Sequence, residues 1–155
     1  MTMFTADQIV AHLVGDYILQ SHWMATEKTK QSFAAAVHAV CYTLPFLFIT
    51  QSLAALAVIC GTHFVIDRWR LARFVVWLKN WPVAGTAVEE VAPAFNTFDG
   101  PARRVVSQRV ILWKPLTATG YQDDVPAWLS VWLLIIADNT LHILCNGVAV
   151  WGLGQ

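Results

Sequence analysis

Three pairs of ionisable residues stand four positions apart inside strongly apolar stretches of this chain: His12/Asp16, His63/Asp67 and Asp138/His142. A lone His38 lies in another such stretch. Residues four apart share one face of a helix, one turn from each other, so each pair presents both side chains to the same neighbour. An imidazole or carboxylate facing hydrocarbon is costly, which forces the faces carrying these groups to converge. The first two pairs run His then Asp and the last runs Asp then His. If the last helix is antiparallel to the other two, the reversal turns all three pairs the same way in space.

The rest of the composition fits the same constraint. The 155 residues are 57% hydrophobic and 13% charged, where a soluble domain averages about 45–50% and 25%. Such a chain has too little polar surface for water and reads as an integral membrane protein. A formal net charge of +0, with no basic stripe, excludes a nucleic-acid partner. Cys41, Cys60 and Cys145 form neither a disulfide framework nor a C-x-x-C clip. The first eight residues carry no Lys or Arg, unlike a cleavable signal peptide, and the first apolar segment is expected to remain as a span.

Four segments approach the ~20 residues that a bilayer requires: about 4–23, 33–50, 52–69 and 127–151. The fold class expected is therefore all-α, a single polytopic membrane domain of four transmembrane helices. A polar loop at about 79–126 joins the third and fourth, and within it 104–116 alternates enough for a short hairpin. In the first span Gln8, His12, Asp16 and Gln20 fall on one face at four-residue spacing, which is tolerable only if that face packs inward. Lys28 and Lys30 follow the first span, Arg68, Arg70, Arg73 and Lys79 lie at and beyond the end of the third, and the turn between spans two and three has no positive charge. The positive-inside rule then puts both charged loops in the cytoplasm and both termini outside. Most tryptophans lie near span ends, as an aromatic belt does.

In this topology Asp16, Asp67 and Asp138 form an inner layer, and His12, His63 and His142 an outer one joined by His38. Seven convergent imidazole and carboxylate groups are a metal-ligand inventory suited to zinc, iron, cobalt or manganese. They exceed the needs of one tetrahedral zinc, leaving room for one or two divalent ions, zinc foremost. Arg68, Arg103 and Arg104 are candidate contacts for a lipid phosphate, with Arg68 equally suited to be a snorkelling anchor. Asn139 and Asn146 flank the last pair as orienting groups or interhelical hydrogen bonds. Polar residues can also fix packing alone, and His/Asp chains relay protons.

The strings HLVGDYILQSHWM, AVHAVCYTL, THFVIDR and DNTLH, in that order, resemble domain-of-unknown-function family 3307, small bacterial and phage inner-membrane proteins. The resemblance implies a small polytopic protein of the bacterial inner membrane and supplies no reaction. The family typically has Gln where this chain has Asn139. The functional expectation from the residues is a metal-dependent membrane hydrolase acting on a membrane-associated, phosphate-bearing lipid. His12, Asp16, His38, His63, Asp67, Asp138 and His142 are its candidate ligands, and one of the three aspartates its candidate base. The alternatives are a metal or proton transporter, or a phage-encoded interaction protein acting on a host membrane partner, and either can be a homo-oligomer.

Overall fold

The computed structural model describes residues 3–80, 86–90, 105–109, 117–121 and 125–154. Apart from one two-stranded ribbon, their regular structure is helical: α1 (Ala6–Leu13), α2 (His22–Glu27), α3 (Ser32–Thr43), α4 (Leu53–Trp69), α5 (Leu71–Asn80) and α6 (Ala127–Leu153). The chain divides into two compact units, one of Met1–Ala72 with Leu133–Gln155 and one of Arg73–Trp132.

In the first unit α1 begins where Thr5 accepts the Gln8 backbone N–H, a side-chain N-cap. The first expected span is not one α-helix. Past Leu13 the chain winds through a π-turn, Val14–Ile18, in which the Leu19 N–H reaches the Val14 carbonyl five residues back at 3.0 Å. It then breaks, and α2 restarts with Ser21 capping Met24. Gly15 explains part of this. A Cβ there would stand 2.6 Å from Tyr42 Cδ2 and 3.0 Å from the Tyr42 carbonyl, so only glycine lets this turn lie against α3.

The buried face of α3 is Ala34, Ala35, His38, Ala39 and Tyr42. Its alanines permit close helix approach, as small residues do between membrane helices. Past Thr43 the helix tightens into a 3₁₀ segment, Leu44–Phe48, with Pro45 in its first turn. In α4, capped by Ser52, Ala55, Ile59, His63 and Asp67 recur every fourth residue on the buried side. The helix ends at Arg70, a non-glycine in the left-handed region (φ 51°), a C-terminal stop usually given to glycine or asparagine. The buried residues of α6 in this unit are His142, Asn146, Gly147, Ala149 and Val150, next to outward-facing Leu144, Val148 and Trp151.

This unit is inverted relative to a soluble domain. Gln8, His12, Asp16, His38, His63, Asp67, His142 and Asn146 are buried, while Val10, Ile18, Phe33, Phe48, Leu53 and Ile136 are exposed. The apolar core is small: Ala11, Tyr42, Phe46, Leu56, Ile59, Ala149 and Val150. Among the described residues α6 is the helix long and apolar enough to cross a membrane. Its 27 residues extend about 40 Å at 1.5 Å each.

The second unit holds most of α5 and an antiparallel ribbon, β1 (Thr86–Glu90) with β2 (Val105–Arg109), in which Thr86 faces Arg109 and Glu90 faces Val105. Of the hairpin expected within 104–116, Val105–Arg109 is described, and 110–116 lie outside the described residues. The described part is a strand whose partner is a segment some twenty residues upstream, a pairing beyond the reach of a local alternation pattern. Gly120 (φ 78°) seats against the Arg73 carbonyl, where a Cβ would come to 2.3 Å.

Candidate metal centre

All of the site lies in the first unit. Asp16 comes from the π-turn after α1, His38 from α3, and His63 and Asp67 from α4. One ligand atom from each lies within 4.8 Å of those from the other three, and all four residues are buried. His38 Nε2 is 3.0 Å from His63 Nε2, 3.2 Å from Asp16 Oδ1 and 3.2 Å from Asp67 Oδ2. His63 Nε2 is 3.1 Å from Asp67 Oδ2 and 3.5 Å from Asp16 Oδ1.

A ring nitrogen carries one hydrogen or one lone pair. His38 Nε2 has the three neighbours above and also Lys28 Nζ at 3.2 Å, so hydrogen bonding satisfies one contact of four. The spacing fits a metal better. Ligands about 2.0–2.1 Å from a tetrahedral ion are about 3.3–3.4 Å from one another; four of the five distances above, 3.0–3.2 Å, fall slightly short of that value and the fifth, 3.5 Å, lies just above it. The donors, imidazole nitrogen and carboxylate oxygen, suit borderline and hard divalent ions. Nδ1 of His38 and of His63 has no hydrogen-bond partner. Ligation through Nε2 would fix the proton on each Nδ1 and leave that N–H without the outer acceptor a ligating histidine usually has, so the case for a metal rests on the spacing of the Nε2 and carboxylate atoms. The group can therefore hold a metal ion.

A second group shares one residue with the first: Asp67, Asp138 and His142. His142 Nε2 is 3.5 Å from Asp67 Oδ1 and 3.5 Å from Asp138 Oδ2.

His12 is the expected ligand that enters neither group. Its Nε2 meets Asn139 Oδ1 at 2.9 Å, and its Nδ1 meets the Tyr42 hydroxyl at 2.8 Å and Asp16 Oδ2 at 3.4 Å. A carbonyl oxygen only accepts, so the proton belongs on Nε2, leaving Nδ1 to accept from Tyr42. Tyr42 in turn accepts from Asn146 Nδ2 at 2.6 Å. Asn139 also exchanges hydrogen bonds with the Tyr17 hydroxyl, at 2.8 and 3.2 Å.

Two participants escaped sequence reasoning. Tyr42 is fully buried and stacks on His63 with ring centroids 3.6 Å apart and planes inclined by 16°. Its position four residues after His38 on α3 was the available signal. Lys28, read only as a loop charge, turns back into the centre. Its ammonium is 2.9 Å from Asp67 Oδ2 and donates to Gln20 Oε1 at 2.7 Å. Nothing in the sequence pattern foretells this, because it depends on the reversal between α2 and α3.

Arg68 is committed elsewhere, donating to the Thr29 carbonyl at 2.9 Å and the Ser32 hydroxyl at 3.2 Å. Arg103 and Arg104 lie outside the described residues. The three cysteines are free and enter neither ligand group.

Residues 4–87 match the family described as "Protein of unknown function (DUF3307)". The match includes His12, Asp16, His38, His63 and Asp67 and stops before α6. No curated protein and no solved structure matches the chain.

Proposed function

The chain belongs to the DUF3307 family, and we propose that it is a multi-pass protein of the bacterial inner membrane whose buried His/Asp centre binds a divalent metal and hydrolyses a membrane-associated, phosphate-bearing substrate. The observation that carries the reading is the convergence of Asp16, His38, His63 and Asp67 at mutual distances suited to ligands of a single ion. The inverted distribution of polar and apolar side chains supports the membrane, since only hydrocarbon surroundings favour an apolar exterior around a polar core.

Bound metal would act as a Lewis acid on a phosphoryl oxygen and supply a hydroxide near neutral pH. The residues do the rest. Lys28 places a positive charge beside the ligands, suited to a phosphate oxygen. Asp138, whose side chain is 31% exposed against 8% for Asp16 and 4% for Asp67, is the most accessible of the three aspartates and, while it holds no metal, the candidate base. In this arrangement the segments at about 4–23, 33–50, 52–69 and 127–151 cross the membrane, the first of them interrupted by the π-turn, both termini face outward, and the loop at about 79–126 is cytoplasmic. Zinc is the ion best suited to mixed imidazole and carboxylate ligands in a four-coordinate setting.

The test is elemental analysis of detergent-purified protein prepared without chelator, paired with phosphate release from lipid phosphates in proteoliposomes. Stoichiometric metal, lost in His38→Ala, together with metal-dependent phosphate release is the expected result. Absence of bound metal overturns the centre. Metal flux across the vesicle without phosphate release overturns the hydrolase in favour of transport.

A further inference from the structure

The first ligand group is closed: four side chains, all buried. Asp67 uses only one of its oxygens there. Oδ2 faces Lys28, His38 and His63, while Oδ1 faces His142. His142 is 1% exposed, and its Nε2 has no hydrogen-bond partner. It is aimed between two carboxylate oxygens from different helices, each 3.5 Å away. A protonated Nε2 would make only long contacts with the two oxygens, whereas a cation among the three atoms would pair all of them. The third member, Asp138, is part-exposed, so this group surrounds its centre on one side only.

We propose that Asp138, His142 and Asp67 Oδ1 bind a second divalent ion, bridged to the first through the Asp67 carboxylate. This rests on the metal reading above. Two-metal hydrolytic sites hold their ions about 3.5–4 Å apart, a separation that one carboxylate spans with an oxygen on each ion. The two positions differ in kind. Structural zinc sites are closed by four protein ligands, whereas catalytic ones have three and an open position. The buried position is therefore the retained one, and the position at α6 is the exchangeable one that meets substrate. Charge agrees. Three carboxylates against the Lys28 ammonium leave two negative charges, which the first ion cancels. The second ion leaves an excess of two positive charges, to be offset by a hydroxide and an anionic substrate.

Chelator-stripped full-length protein in detergent is reloaded with Mn²⁺ and examined by elemental analysis and electron paramagnetic resonance. Two equivalents with a spin-coupled signal are expected. Asp138→Asn and His142→Ala should each keep one equivalent and lose the coupling. The retained equivalent shows that such a variant is folded. His38→Ala should lose the buried ion, and Asp67→Asn should weaken both. Saturation of the wild type at one equivalent overturns the second site and leaves the first standing. Two equivalents persisting in both Asp138→Asn and His142→Ala also overturn it. No bound metal in any form overturns the centre as a whole, this proposal included.

Discussion

Lys28→Met removes a charge from the centre while keeping most of the side-chain volume. The ammonium is 2.9 Å from Asp67 Oδ2, with side chains only 16% and 4% exposed. At an effective dielectric near 20 the direct attraction is about 6 kcal/mol. Part of that offsets desolvation of the two charges, and removing one partner of a buried pair costs about 3–5 kcal/mol in practice. A domain of this size loses about 2–4 °C of Tm per kcal/mol. Metal-free Lys28→Met should therefore melt about 6–20 °C below the metal-free wild type. A divalent ion takes over the compensation of Asp16 and Asp67, so saturating Zn²⁺ should close most of that gap. Metal affinity should rise at least tenfold, because an adjacent cation no longer repels the ion. The assay is thermal unfolding in detergent with and without chelator, alongside a competition titration against a zinc indicator. A loss under 2 °C without metal, or an equal loss with and without it, would refute the assignment of Lys28 as the resident counter-charge.

Gly15→Ala forces a methyl group to within 2.6 Å of the Tyr42 ring. Overpacking of this kind costs about 1–3 kcal/mol and moves Asp16 away from His38, so bound metal should fall in elemental analysis along with the Tm. Tyr42→Phe strands His12 Nδ1 and Asn146 Nδ2 at about 1–3 kcal/mol for each unpaired buried group; its Tm should drop while metal equivalents stay unchanged, because the phenol is no ligand. Metal occupancy should decline as pH falls, since imidazole and carboxylate ligate only when deprotonated. The sign is fixed: acid releases metal and metal binding releases protons, which a weakly buffered titration measures directly.

The sequence disclosed the convergence of these side chains more fully than the fold. His63/Asp67 and Asp138/His142 were legible because four-residue spacing in an apolar segment has few other meanings, and the reversed order at α6 pointed to convergence. His38 stood out for the same reason. What escaped depended on contacts between elements distant in sequence. His12 spends both ring nitrogens on Tyr42 and Asn139, which no spacing rule separates from ligation. Lys28, expected from charge bias to mark a cytoplasmic loop, reaches a carboxylate thirty-nine residues away. The two-layer picture, with Asp below and His above, is compressed in the structure, where His38 and His63 meet Asp16 and Asp67 within one ligand group.

The π-turn at Val14–Ile18 makes the position of Asp16 depend on chain length. Closing a hydrogen-bonded turn over five residues instead of four accommodates one residue more than an α-helix would. Deleting a single residue there would let α1 continue as regular helix, with stronger backbone bonds and the flanking segments nearly in place, while Asp16, which lies inside the wide turn, would swing by up to one residue's rotation, about 100°. The shortened chain would gain local regularity and carry Asp16 away from His38. An insertion or deletion here is therefore a change of chemistry, even though every side chain of the centre would still be present.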